Sequence, residues 1–299
     1  MPIFPRGKPV RYMAAASALF CVVSYAQQSY AQQTHPQQPP AAGSLPQASP
    51  ASLHDTLLAK ATTLYYSTAR VGLRNFDCQV HVDWARMMKS ARKGAALPDN
   101  DPRLALLNTV AITLRADLKG DSSLDWNLPE HPLKPVDESQ TAMLNQVHHG
   151  VEQTLGGLLK TIWSPLVNGS IAETLGEESA NITEDANGYT LRTKDPQESI
   201  TEVFDRGLVM KRFVVESSTL SNMDLKPVFQ ATPQGLLPAH MAADIRNPGT
   251  PAQGPAQPMD ADMEYQVVTG IQIPSRITIV MPDVVEMDFK LDGCAVNPR

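Results

Sequence analysis

Phe76-Asp77-Cys78-Gln79-Val80-His81-Val82-Asp83-Trp84 alternates without a break: Phe76, Cys78, Val80, Val82 and Trp84 fall on one parity, Asp77, Gln79, His81 and Asp83 on the other. Successive side chains of a strand point to opposite faces, so this stretch predicts a strand with one dry and one wet face. The alternation returns from Val110 to Leu118, where Val110, Ile112, Leu114, Ala116 and Leu118 are set against Ala111, Thr113, Arg115 and Asp117. It returns again near the end, where Val285, Met287, Phe289 and Leu291 alternate with Glu286, Asp288, Lys290 and Asp292. Repetition of the pattern predicts a long antiparallel sheet that is apolar on one side only. That side must be covered by helices, by a lipid-like ligand, or by both.

Two stretches carry helical periodicity. Leu53, Leu57, Ala61, Leu64 and Val71 form one stripe, widened by Leu58 and Tyr65, with Ser52 placed to cap the start. Glu138 to Trp163 forms the second, with its stripe at Leu144, Val147, Val151, Leu155, Leu158 and Ile162. Gly150, Gly156 and Gly157 each cost this helix about 1 kcal/mol relative to alanine, so packing must hold it. Trp84 to Arg92 reads as a short helix ended by Pro98 and Pro102, and Ser122–Leu128 pairs with Asn108–Lys119 as a hairpin turning at Gly120-Asp121. After Gly188 the chain reads as strands: 189–194, 200–204, 208–216, 225–231, 236–246, 263–268, 271–280 and 285–291. Asp205-Arg206-Gly207 and Thr269-Gly270 supply tight turns. Strands joined by short links pair with their neighbours, giving an α+β fold, a curved antiparallel meander under an N-terminal helix and an inserted long helix.

The first 26 residues have the form of an export signal: a basic start at Arg6, Lys8 and Arg11, an apolar run from Met13 to Val23, and Ser24-Tyr25-Ala26 as a cleavage site. The copy of that tract at Ser29-Tyr30-Ala31 offers a second cut after Ala31, and an uncleaved membrane anchor is the alternative. Phe20 before Cys21 argues against a lipoprotein signal. Loss of the segment removes three positive charges and no acid, so the net charge of −6 falls to −9. An acidic chain is a poor partner for nucleic acid. Residues 27–50, rich in Gln, Pro, Ala and Ser, read as a disordered leader, and residues 52–297 as one β-rich domain. Asn247 to Pro258, with four prolines, reads as an exposed loop. Cys78 and Cys294 survive cleavage and, in an oxidising periplasmic or extracellular setting, either pair or stay as buried thiols. Pairing requires Gly293 to break the alternation of the last strand, because Cys294 lies on the parity opposite to Leu291.

Four stretches carry a family likeness: Val203-Phe204-Asp205-Arg206-Gly207-Leu208-Val209, Leu225-Lys226-Pro227-Val228-Phe229, Gly235-Leu236-Leu237, and Tyr265-Gln266-Val267-Val268-Thr269-Gly270-Ile271-Gln272-Ile273-Pro274. With the element order helix, Gly72-Leu73-Arg74-Asn75-Phe76, strand, inserted helix and meander, the chain resembles the LolA/LppX-like periplasmic lipoprotein-carrier superfamily over residues 52–297. The resemblance implies a half-barrel sheet wrapped around helices, with a hydrophobic cavity between them that takes acyl chains, and a lipid or lipid-modified protein as partner. The segment from Ala85 to Ser170 and the Pro-rich leader are additions to the compact carriers of that type.

Catalytic signatures are missing: the sequence has no Gly-x-Ser-x-Gly elbow, phosphate loop or His-Glu-x-x-His helix. Ser122, Ser123 and Ser170 read as turn residues, and Asp83, Asp125, Asp288 and Asp292 as surface carboxylates on wet strand faces. His148 and Glu152, four apart, suggest a shared cation, but His149 diverges by about 100° and a solvated helix face explains the group. No metal or cofactor is expected. Val80, Val82, Trp84, Ile112, Leu114, Trp126, Met287 and Phe289 are the candidate lining of a ligand cavity, or plain core beneath the helices. The leading expectation is a non-enzymatic exported carrier of lipid or acyl chains. The alternatives are an envelope module with a filled core that docks another protein, and an exported hydrolase whose site is assembled from distant residues.

Overall fold

The computed structural model describes residues 52–91, 98, 101–117, 122–128, 137–177, 180–194, 198–217, 222–246 and 255–298. The export signal, the leader, the turn at Gly120-Asp121 and most of the proline-rich loop lie outside these residues.

Among the described residues, twelve strands form one open antiparallel sheet. They are β1 (Asn75–Val82), β2 (Ala111–Asp117), β3 (Ser122–Asn127), β4 (Asn181–Glu184), β5 (Gly188–Lys194), β6 (Glu198–Asp205), β7 (Met210–Ser217), β8 (Asn222–Thr232), β9 (Gly235–Arg246), β10 (Gln257–Val268), β11 (Ile271–Met281) and β12 (Val285–Val296). Their spatial order is β3-β2-β1-β12-β11-β10-β9-β8-β7-β6-β5-β4. The expected meander is therefore present from β4 to β12, and the β1–β3 unit attaches to its last strand through β1. β3 and β4 are the first and last strands in this order.

The parity read from the sequence is the parity of the sheet. Val80 lies opposite Ile112 on β2 and Leu291 on β12, Val82 opposite Phe289, and Ile112 opposite Trp126. At the far end of β1 the register slips: Asp77 faces Ala295 and Gln79 faces Asp292, so Cys78 stands opposite both Gly293 and Cys294. Gly293 adopts a positive φ of 56°, and Cys78 and Cys294 are joined by a disulfide. The bulge is what brings Cys294 round to the apolar parity of Cys78.

Among the described residues the α-helices are α1 (Leu53–Leu64), α2 (Thr68–Val71), α3 (Trp84–Ala91), α4 (Pro102–Leu107), α5 (Glu138–Val151), α6 (Ser164–Val167) and α7 (Ser170–Gly176). Ser52 and Asp55 cap α1 reciprocally. The single N-terminal helix expected through Val71 instead stops at Leu64. Tyr65 turns extended, and the Tyr66 N–H donates to the Leu236 carbonyl at 3.0 Å. Gly235 is required there: with φ at +120°, a Cβ on it would sit 2.6 Å from the Tyr65 carbonyl carbon.

Trp84 is not the last residue of a strand. The Asp83 N–H still donates to the Asp288 carbonyl, but its carboxylate accepts the Arg86 N–H at 2.9 Å, and this cap turns the chain into α3. Pro102, expected to break a helix, starts α4 at the position where a missing N–H costs nothing, behind the Asp101 cap. Asn108, Thr109 and Val110 consequently follow α4 and lie outside β2.

α5 begins at a capping box of Asp137 and Gln140. It continues through two π-helical segments, Glu152–Gly156 and Leu159–Trp163, into α6. Each wider turn advances the phase of the apolar stripe, and Leu158 with Leu159, and Ile162 with Trp163, are buried as adjacent pairs. α7 and β4 have no counterpart in the expected elements, and β10 begins at Gln257, so Pro258 belongs to a strand.

Candidate functional site

Side chains from the helical segments meet the apolar parity of the sheet at defined contacts. The Phe76 and Trp163 rings meet edge-on at 6.0 Å between centroids, as do Trp84 and Trp126 at 5.9 Å. The Trp163 indole N–H donates to the Tyr265 hydroxyl at 3.1 Å, and Tyr265 donates to the Pro238 carbonyl at 2.7 Å. Of the eight residues expected to line a cavity, Val80, Trp84, Ile112, Leu114, Met287 and Phe289 are 0–4% exposed, and Val82 and Trp126 are partly buried. They sit on neighbouring strands β12, β1, β2 and β3, with Trp84 brought to them from the first turn of α3.

Three surface depressions among the described residues take in Val82 and none of the other seven. One, of about 580 Å³, is lined by His81, Asp83, Arg276, Asp288 and Lys290 on the hydrated face, with Val82 at its border. A second, of about 570 Å³, lies between Asn75, Asp77, Arg115 and Ser123. A third, of about 470 Å³, lies beside the β8–β9 turn, next to Arg70 and Gln234.

The buried face is rich in methionine. Of the ten described methionines, eight are buried and the other two, Met143 and Met223, pack against the same core. Met241, Met259, Met263, Met281 and Met287 all come from the consecutive strands β9 to β12. Thioether chains are unbranched and polarizable, so such a face can refit around different shapes.

Polar groups on this face are accounted for with few exceptions. The Tyr65 hydroxyl donates to the Leu208 carbonyl at 2.6 Å and accepts the Met210 N–H at 2.8 Å. Burial pushes its phenol well above the ordinary value, and burial raises Tyr66, which donates to the Gln272 carbonyl, to about 12. Glu202 is the exception that matters. It stands on the inner parity of β6 between Ile200 and Phe204, opposite Leu191 of β5 and Phe213 of β7. Its side chain is buried, with the residue 5% exposed, and its Oε2 has no hydrogen-bond partner. Burial, with Glu177 next in effect, raises its carboxyl to about 8. Its signal in the sequence is an acid on the apolar parity of Ile200-Thr201-Glu202-Val203-Phe204.

The hydrated face holds charges in pairs. Asp288 is 8% exposed, so it is not the surface carboxylate its wet parity suggested. It accepts two bonds from Arg276, at 2.9 and 2.6 Å, and one from Arg86 at 3.2 Å. Hydrogen bonding to Arg276 holds its carboxyl below the usual range. Arg86 also pairs with Glu286, which ties α3 to β12. Asp292 pairs with His81, and Asp125 with Arg115.

His148 does not lie on a solvated face. Its ring stacks at 4.8 Å on Trp126 and bonds the Leu124 carbonyl. Among the described residues no three His, Cys, Asp or Glu side chains are placed to hold a metal ion, and no helix is long and apolar enough to cross a membrane. Ser122 and Ser123 begin β3. The disulfide is consistent with an extracellular or periplasmic setting.

No protein-family model, curated protein or solved structure matches the chain.

Proposed function

We propose that this chain is an exported, non-enzymatic periplasmic protein that shelters an apolar chain between the sheet and its helical cover, in the half-barrel manner of LolA/LppX-like carriers. The observation that carries the reading is the methionine-rich buried parity of β9 to β12, met at Tyr265 of β10 by Trp163 from a helix interrupted by two π segments. An adaptable floor under a helix of low intrinsic stability is suited to opening around a guest. Transfer of each methylene from water contributes about 0.8 kcal/mol, so ten methylenes supply about 8 kcal/mol toward moving the cover.

The second reading is an envelope protein-interaction module with a filled core. The near-complete burial of Val80, Ile112, Leu114, Met287 and Phe289 by the chain's own side chains favours it. Lipid extraction and mass spectrometry of the natively purified mature protein separates the two. The carrier reading expects a stoichiometric apolar-chain compound. A lipid-free protein that also takes up none on incubation with envelope lipid leaves the interaction module.

A further inference from the structure

We propose that Glu202 is the counter-ion for a cationic amine at the head of the sheltered chain, so that the ligand class is a long-chain amine. This deepens the carrier reading and rests on it. The argument starts from hydrogen-bond accounting. A carboxyl removed from water needs partners, and leaving it without them is costly. Glu202 is buried on an apolar sheet face and its Oε2 has none. The Tyr65 hydroxyl, whose phenol Glu202 raises, already donates to Leu208 and accepts from Met210. Glu177, just past the end of α7, acts on Glu202, and Glu202 in turn acts on the Tyr65 phenol, after α1. Both repel or ignore a carboxylate, and no lysine or arginine forms an ion pair with it among the described residues. The protein thus places one unanswered acid, backed by a second, in an otherwise apolar wall. A carboxylate-headed chain would bring a buried charge that a neutral carboxyl does not neutralise, whereas an alkylammonium supplies the missing donor and the charge that lets Glu202 ionise.

Without ligand the Glu202 carboxyl is protonated at neutral pH, because burial raises it to about 8. Binding of the ammonium form then converts carboxylic acid plus ammonium into a carboxylate–ammonium pair, and one proton leaves for solvent. Linkage makes affinity rise tenfold per pH unit below about 8 and level off above it.

The test titrates the full mature protein with dodecylammonium, dodecanol and dodecanoate below their micellar concentrations, in buffers of different ionisation heat. Dodecylammonium should bind at least tenfold more tightly than dodecanol at pH 7.5, dodecanoate most weakly, and one proton should be released per ammonium bound at pH 6.5. In Glu202→Gln the preference for ammonium over dodecanol should shrink toward unity, and proton release should vanish. Equal binding of the three probes, or ammonium binding with no proton released by the unmodified protein, overturns the assignment to Glu202 while leaving the carrier reading standing. Binding of none of the three overturns both.

Discussion

Replacing Tyr65 by phenylalanine removes one oxygen atom and orphans two backbone groups. The ring is 2% exposed, and its hydroxyl serves the Leu208 carbonyl at 2.6 Å and the Met210 N–H at 2.8 Å. These groups flank the β6–β7 turn, where Leu208 holds a positive φ of 63°. Each buried group left unsatisfied costs about 1–3 kcal/mol, and the ring's packing on Phe229 is retained, so Tyr65→Phe should lose about 2–4 kcal/mol. Tyr66→Phe is the internal control, since its hydroxyl serves only the Gln272 carbonyl and should cost about 1 kcal/mol. Urea unfolding of both variants reads the difference as a shift in midpoint at unchanged slope. A Tyr65→Phe loss below about 0.5 kcal/mol, or one no larger than that of Tyr66→Phe, would refute the claim that this hydroxyl fastens the N-terminal segment to the β6–β7 turn.

Three further outcomes are expected. The Cys78–Cys294 bridge closes a loop of 216 residues in sequence separation, for which the chain-entropy model gives about 5 kcal/mol as an upper value; Cys78→Ala/Cys294→Ala should lower stability by up to that amount, and reductant should mimic it in thermal unfolding. Glu202 titrates higher in the folded chain than its ordinary 4.5, so the unfolded chain loses the proton first and stability falls as pH rises from about 4.5 to about 8, by up to about 1.4 kcal/mol per unit; Glu202→Gln should flatten that slope in chemical unfolding curves taken across the window. Asp288 is held below its ordinary value, so its contribution is present above the unfolded carboxylate range and is lost as pH falls through the folded one. Asp288→Asn should cost about 2 kcal/mol near neutral pH and little in acid, where the native carboxyl is itself protonated.

Where side chains alternate, the sheet could be read directly. Val80, Leu114 and Phe289 are buried as their parity required, because a strand has no other way to present such a pattern. The bulge at Gly293 was legible for a similar reason: two cysteines on clashing parities could meet only if one residue was inserted. The break at Tyr65 was not legible, because a helical stripe continues through it and the cause is a tertiary bond to a turn more than a hundred residues away. Pro102 misled because proline both ends and begins helices, and only the Asp101 cap decides between them. Glu202 was hidden in a short strand whose neighbours on both sides had to be known before its burial could be seen. Asp288 was on the correct face, yet two arginines from other elements cover it, and strand parity carries no information about them.

The three tryptophans, Trp84, Trp126 and Trp163, all sit where helices meet the apolar sheet face, which makes their fluorescence a direct report on that interior. Titration of the mature protein with an alkyl chain brominated at mid-chain tests whether a guest enters there. The account predicts saturable quenching of the buried emission at one chain per protein, reversed by an unbrominated competitor. Bound chain that leaves the emission unquenched, or no binding at all, would contradict it.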